Sequence, residues 1–262
     1  MDKMWRDRWG LVTGASAGIG VALARELAAA GVNLVLTARR GDRLQELARE
    51  LQEKHKVRTE IFAADLARPD APPRIFDFTE RSGIAIEILI NNAGFGQYGE
   101  FPQVDAQRLL DMVQVNCAAV MHLTRLYLPG MVQRRRGDVL ILASTASFQA
   151  VPYISTYAAT KAFDLLLAEG LAEEMRPYGI RVCALCPGST ESEFHVVAGQ
   201  QKFTGKSMES AAKVALTGLD ALVAGKSSVI SGFGNYLGAQ SQRIVPRRVV
   251  SKIAAKLFRP NK

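Results

Sequence analysis

Short runs of β-branched residues and leucine alternate along the chain with longer stretches whose apolar positions recur at helical spacing. The short runs predict strands at WGLVTG (near 9–13), NLVLTA (33–38), RTEIFAAD (58–65), IEILINNAG (from 86), GDVLILAS (137–144), IRVCALCPG (from 180) and SSVISG (near 227–232). The longer stretches predict helices over 18–30, 41–55, 69–81, 103–134, 155–176 and 207–224. Helices that separate strands so regularly point to βαβ units, hence an α/β fold with a parallel sheet covered on both faces. The strands read as nearly continuous apolar runs, as burial on both sides requires. No repeat and no long polar linker interrupts the pattern. Residues 1–240 therefore read as one domain, followed by a basic amphipathic extension at 241–262.

Composition narrows this only a little. The 262 residues are 48% hydrophobic and 22% charged, an ordinary globular balance. The three cysteines, Cys117, Cys183 and Cys186, are too few for a disulfide framework. Cys183 and Cys186 form a C-x-x-C, but on a strand residues three apart face opposite sides. His55, His122 and His195 are scattered, and no metal site is expected. The opening stretch MDKMWRDRWGLVTG is charged and lacks the apolar core of a signal peptide. Residues 139–160 carry no charge, yet their Ser, Thr, Gln and Pro content fits a buried strand plus loop better than a membrane span. A cytoplasmic location is the expectation. The net charge of +8 is spread widely, with local clusters at ARRGDR, QRRRGD and the C-terminus. No aromatic-interleaved basic motif accompanies it, and no nucleic-acid partner is expected.

Candidate chemistry begins at the first strand. LVTGASAGIG joins that strand to a helix through Gly14, Gly18 and Gly20. Glycines there permit a tight turn and let a pyrophosphate approach backbone N–H groups at a helix N-terminus. The spacing G-x-x-x-G-x-G differs from the general dinucleotide fingerprint, and a ligand-free turn is the alternative. The second strand ends in LTARRGD. An acidic residue is usual there in NAD-binding folds, whereas Arg39 and Arg40 suit the 2′-phosphate of NADP(H) by charge-assisted hydrogen bonds. NADP(H) is thus favoured over NAD(H), against the alternative of a solvated basic turn. In STYAATKAF, Tyr157 and Lys161 fall one helical turn apart on one face. Alone, that pair reads equally as a tyrosine packed on a lysine stem.

Taken in order, the motifs resemble those of the classical short-chain dehydrogenase/reductase family over about residues 9–235. TGASAGIG at 13–20 is similar to its cofactor turn. AADL at 63–66 places Asp65 at the adenine contact, NNAG at 91–94 closes the fourth strand, and CPGST at 186–190 resembles the Pro-Gly turn after the sixth. Asn116, Ser144, Tyr157 and Lys161 match the family's catalytic tetrad. The resemblance implies a Rossmann-type, doubly wound parallel sheet of about seven strands. It also implies hydride transfer between a nicotinamide cofactor and a carbonyl or secondary alcohol, with a non-catalytic dinucleotide sensor or scaffold as the rival. Cofactor contacts are implied at Gly14, Ser16, Gly18, Ile19 and Gly20, and at Arg39 and Arg40. Further contacts are implied at Asp65 and Leu66, at Asn92, Ala93 and Gly94, and at Pro187, Gly188 and Thr190, together with Tyr157 and Lys161. In this mechanism Tyr157 is the acid/base, and Lys161 lowers its pKa and holds the nicotinamide ribose. An ammonium about 4 Å away would stabilise phenolate by roughly 4 kcal/mol at an effective dielectric of ~20. Ser144 would position the substrate oxygen, and Asn116 would organise a water path toward Lys161 while breaking the long 103–134 helix. The family's P-G-x-V-x-T pattern is departed from, with Thr190 and Ser192 at the Val and Thr positions.

Substrate choice in such proteins lies after the Pro-Gly turn, here ESEFHVVAGQQKFTGKSM, and in loops near 95–98 and 146–153. Phe95, Tyr98, Phe148, Tyr153 and Phe194 are expected to form an apolar pocket for a small carbonyl or alcohol substrate, against the alternative that several are core or lid packing. In the tail, Val249, Val250, Ile253 and Leu257 fall at helical spacing among Arg248, Lys252, Lys256 and Arg259. Such a helix can cap its own cleft, join a homo-oligomer partner or lie on an anionic membrane. Packing on its own domain or on a homo-oligomer is preferred over the membrane.

Overall fold

The computed structural model describes residues 2–199 and 208–260. The apolar runs become seven strands: β1 (Trp9–Thr13), β2 (Asn33–Ala38), β3 (Thr59–Ala63), β4 (Ile86–Asn91), β5 (Gly137–Leu142), β6 (Ile180–Cys186) and β7 (Ser228–Ile230). They form one sheet in the order β3-β2-β1-β4-β5-β6-β7 with every pairing parallel. The four central strands and β2 are buried almost throughout, whereas the edge strands β3 and β7 are half-buried. That difference is why the central strands lack polar alternation.

Alternate strand residues feed two cores. On one face Val12, Leu34, Leu36, Ile88, Leu140 and Leu185 meet helices α2 (Gly18–Ala29), α3 (Gly41–His55) and α9 (Ala211–Val223). On the other, Leu11, Val35, Leu89, Val139, Ile141 and Val182 meet α4 (Ala71–Arg81), α6 (Ala119–Arg134) and α7 (Ser155–Met175). Cys183 belongs to the first core and Cys186 to the second, so the C-x-x-C is a pair of core residues facing apart, and burial pushes both thiols up to about 12.

The expected 103–134 helix is interrupted. α5 (Ala106–Val113) passes through a π turn at Gln114–Ala118 before α6 begins, and Asn116 lies in that turn. The helix expected at 207–224 is α9; residues 200–207 lie outside the described residues.

Four helices carry no expectation of their own bounds. The short α8 (Phe194–Val197) follows β6, and α10 (Phe233–Ser241) and α11 (Arg247–Phe258) close the described chain. At the other end, α1 (Asp2–Trp5) buries Trp5 completely, and its indole Nε1 donates to Asp138 Oδ2 at 2.8 Å. Among the described residues no helix is long and apolar enough to cross a membrane.

Candidate active site

The strand order reverses direction of growth between β1 and β4, and the crevice outside their carboxyl ends is where an open parallel sheet takes a ligand. A cavity of about 390 Å³ opens there. Thr13, at the end of β1, fixes its rim: Oγ1 donates to Ile90 O at 3.2 Å and accepts from the N–H groups of Asn92 and Ala93, both at 2.9 Å. Asn92 Nδ2 donates back to Thr13 O at 2.8 Å. Asn92 thus reaches the cavity wall while its amide holds the turn in place.

Gly14 (φ +67°) and Gly18 (φ +53°) are left-handed, which a side chain would strain. A Cβ on Gly14 would also sit 2.8 Å from Asn92 Nδ2. Gly20 lies beneath the turn, where a Cβ would collide with the Gly14 carbonyl. Gly14, Ser16, Gly18 and Ile19 line the cavity, so bare backbone faces it next to the start of α2. That arrangement fits a pyrophosphate.

Beyond the turn, Asp65 and Leu66 line the wall, and Asp65 Oδ1 accepts from Ala67 N at 3.1 Å. Arg39 is exposed on the same wall. Arg40 reaches inward: its guanidinium donates to Ser16 Oγ at 3.2 and 3.3 Å and meets Glu193 Oε2 at 2.8 Å. Arg43, which the sequence reading passes over, holds the other oxygen of Glu193 at 2.6 Å. The two guanidinium groups hold the Glu193 carboxyl below its usual range, the Arg43 hydrogen bond most of all. Two cations converged on one carboxylate are also a receptor for a phosphate.

The tetrad candidates divide. Ser144, Tyr157 and Lys161 line the cavity; Asn116 does not. Asn116 is fully buried, with Oδ1 accepting from Phe95 N at 3.1 Å and Nδ2 donating to Phe95 O and Thr160 Oγ1, each at 3.0 Å. Its side chain therefore braces the loop after β4 against α7. Ser144 ends the strand and caps a short 3-10 turn at Thr145–Phe148, its Oγ accepting from Ala146 N at 3.1 Å.

Tyr157 and Lys161 share a face of α7, and Lys161 Nζ lies 6.0 Å from the Tyr157 ring centroid. The ammonium donates to Leu142 O at 2.6 Å and to Asp164 Oδ2 at 2.9 Å. Burial works against the Lys161 charge, but Asp164 and Tyr157 together outweigh it, and its pKa is raised. Lys161 lowers the Tyr157 phenol, as expected, but the net shift is upward. Burial raises Tyr157 by more than Lys161 and Ser144 lower it, and Asp164 adds to the rise. Asp164 itself is a residue the sequence reading missed. It is an acid at a core position of α7, and no motif marks it.

Of the expected pocket aromatics, Phe95 and Phe194 line the cavity. Phe194 stacks obliquely on Tyr157 with centroids 5.1 Å apart, in space that a Cβ on Gly96 would fill. Phe148 packs into the second core instead. Tyr98 donates to Phe258 O at 2.7 Å, and Tyr153 accepts from Arg259 Nε at 3.4 Å, so both tether the tail. Phe258 thereby reaches the cavity mouth. Arg108, also unforeseen, lies 4.2 Å over the Phe95 ring and lines the same wall. Pro187, Gly188 and Thr190 complete the lining. The Thr190 hydroxyl donates to Gly188 O at 3.1 Å and Ser192 Oγ to Thr190 O at 3.3 Å, so the departure from the usual Pro-Gly pattern forms a self-bonded turn.

The sequence model described as short chain dehydrogenase matches residues 8–198. The chain is 36% identical over 190 residues to the very-long-chain 3-oxoacyl-CoA reductase of Bos taurus, covering 70% of this chain and 59% of that protein. It thus spans a little over half the length of the curated relatives it matches. Among solved structures, a short-chain dehydrogenase from Sphingobium yanoikuyae in complex with NADPH is similar at TM-score 0.82 and 32% identity, with 90% of this chain and 94% of that one covered. The bulky-bulky ketone specific alcohol dehydrogenase from Comamonas testosteroni is similar at TM-score 0.78 and 30% identity, covering 90% and 92%. A family match over most of the chain, on a sheet whose crevice carries the expected turn, tyrosine and lysine, places this protein in the short chain dehydrogenase family.

Proposed function

We propose that the protein reduces ketones with NADP(H), or oxidises the corresponding secondary alcohols. The observation that carries this reading is the Tyr157 phenol beside Ser144 in the cavity, with Lys161 one turn behind it. The nicotinamide supplies or accepts the hydride when bound. Tyr157 Oη then delivers a proton to the developing alkoxide, or removes one from an alcohol. Ser144 Oγ orients the substrate oxygen toward that phenol. Lys161, buried and held by Leu142 and Asp164, keeps a positive charge next to the proton donor. The backbone at Gly14, Gly18 and Ile19 would hold the pyrophosphate, and Asp65 and Leu66 would flank the adenine.

The choice of NADP(H) rests on Arg40 and Arg43, whose shared carboxylate partner Glu193 stands where a ribose phosphate would compete for them. The substrate reading rests on the apolar wall of Phe95, Phe194 and Phe258, which suits a ketone with a bulky apolar substituent. The names of the relatives, a 3-oxoacyl-CoA reductase and a bulky-ketone dehydrogenase, agree with that chemistry. α11 serves as the cap of this cleft through Phe258. The purified protein is mixed with NADPH and a panel of apolar aryl and alkyl ketones, and loss of the reduced nicotinamide absorbance is followed. Consumption that depends on ketone is expected. NADPH binding without consumption by any ketone of the panel would contradict the reading.

A further inference from the structure

Asp164 lies one turn beyond Lys161 on α7 with its side chain fully buried, and the Lys161 side chain is 4% exposed. Oδ2 takes the Lys161 hydrogen bond, while Oδ1 is buried with no hydrogen-bond partner among the described residues. Adjacent Leu165 and nearby Ala168 are ordinary core residues, so an apolar side chain would suit the packing. A half-satisfied buried carboxylate is costly, and breaking such a pair leaves a lone buried charge. Its position asks for a role other than stability. Two of the three ammonium donors are committed to Leu142 O and Asp164, which leaves one toward the cavity. The groups that interact with the pair are Tyr157 from the same helix, Cys117 from the π turn and Cys186 from β6. Both thiols are pushed up to about 12 by burial and stay neutral. Near neutrality Asp164 is thus the only negative charge among them.

Building on the proposed reductase activity, we propose that Asp164 is a positioning residue that offsets the Lys161 charge and so lets the Tyr157 phenol hold its proton to higher pH. Seen from Tyr157, a lysine paired with a carboxylate stabilises phenolate less than a lysine alone. The phenol then remains a proton donor to higher pH, at some loss of acid strength. The direction follows from the negative charge held 2.9 Å from the Lys161 ammonium, and burial pushes that carboxyl up to about 6 against the pull of Lys161. Above that pH Asp164 is charged and restrains Tyr157. Below it Asp164 takes a proton, Lys161 acts unopposed and the phenol becomes the stronger acid.

Asp164→Asn removes the charge and keeps an acceptor for Lys161. The primary readout is the near-ultraviolet phenolate titration of the cofactor-free protein, with the Tyr157→Phe curve subtracted to isolate Tyr157. The expected result is a Tyr157 midpoint lower by about one unit in Asp164→Asn. The alkaline limb of kcat/KM for ketone reduction moves down with it. Asp164→Ser, which leaves room for a water in place of the carboxylate, moves the midpoint the same way and serves if the Asn variant does not fold. A purely structural Asp164 would lower the melting temperature and leave the midpoint in place; an unmoved midpoint in the folded variants overturns the proposal. Because the titration uses no cofactor, it reads Asp164 even if the ketone assay fails. Turnover with an unmoved midpoint refutes the role of Asp164 alone.

Discussion

Arg40, Arg43 and Glu193 form a cluster of two cations on one carboxylate, and the proposed choice of NADP(H) rests on it. Glu193 is held at 2.8 and 2.6 Å by two guanidinium groups that stay about two-fifths exposed, so the pairing is cheap to break. A ribose 2′-phosphate offers the same cations more charge and more acceptor oxygens. Arg40→Ala is therefore expected to weaken NADPH binding by tenfold or more, about 1.4 kcal/mol, while leaving NADH nearly unchanged. Glu193→Gln should tighten NADPH binding, since the internal competitor loses its charge. Nicotinamide fluorescence titrations read both, and equal effects on the two cofactors would remove the phosphate clamp. At this scale the sequence was legible where residue type and position coincide with a motif: Gly14, Ser144, Tyr157, Lys161 and Arg40 all reach the cavity. Glu193 was invisible because it lies 153 residues from Arg40, and Asp164 because nothing in an i,i+3 spacing separates a buried acid from a solvated one.

Elements were legible in proportion to how far local pattern controls them. β1, β2, β4, β5 and β6 are buried on both faces, and their apolar runs mark them without ambiguity. The π turn of Gln114–Ala118 left only a polar Asn116 in a helical run as its trace, because its cause is tertiary: Asn116 satisfies the backbone of Phe95 and the hydroxyl of Thr160. α1 left less. Its surroundings are charged, yet Trp5 packs fully into the first core and bonds to Asp138, which also pairs with Arg181. Trp5→Ala is expected to cost about 3–5 kcal/mol of stability, from the lost burial plus an Asp138 oxygen left without its indole donor. Urea unfolding measures it. A loss below about 1 kcal/mol would mean that α1 is peripheral to the fold. The amphipathic pattern of α11 was visible, but what it covers was not, since Tyr98 and Phe258 are 160 residues apart.

For the whole molecule, a parallel sheet of order 3-2-1-4-5-6-7 gathers residues from remote parts of the chain at one crevice. The glycine turn arrives from β1, the loop of Asn92 to Phe95 from β4, Ser144 from β5 and the Pro-Gly turn from β6, while α7 lays Tyr157 and Lys161 across the opening. The parallel sheet covered on both faces could be anticipated from the alternation of strand and helix patterns, and its doubly wound order from the family resemblance. The electrostatic balance of the site could not. It depends on how deeply Tyr157, Lys161 and Asp164 are buried, and burial is a property of the packed molecule. The account rests on Tyr157 as the proton donor to a carbonyl. Its most direct test is Tyr157→Phe, with NADPH affinity and ketone-dependent NADPH oxidation measured on the same preparation. Binding within about threefold of wild type, with turnover reduced by roughly 10²-fold or more, is the predicted result. Wild-type turnover in a variant that binds NADPH normally would contradict it.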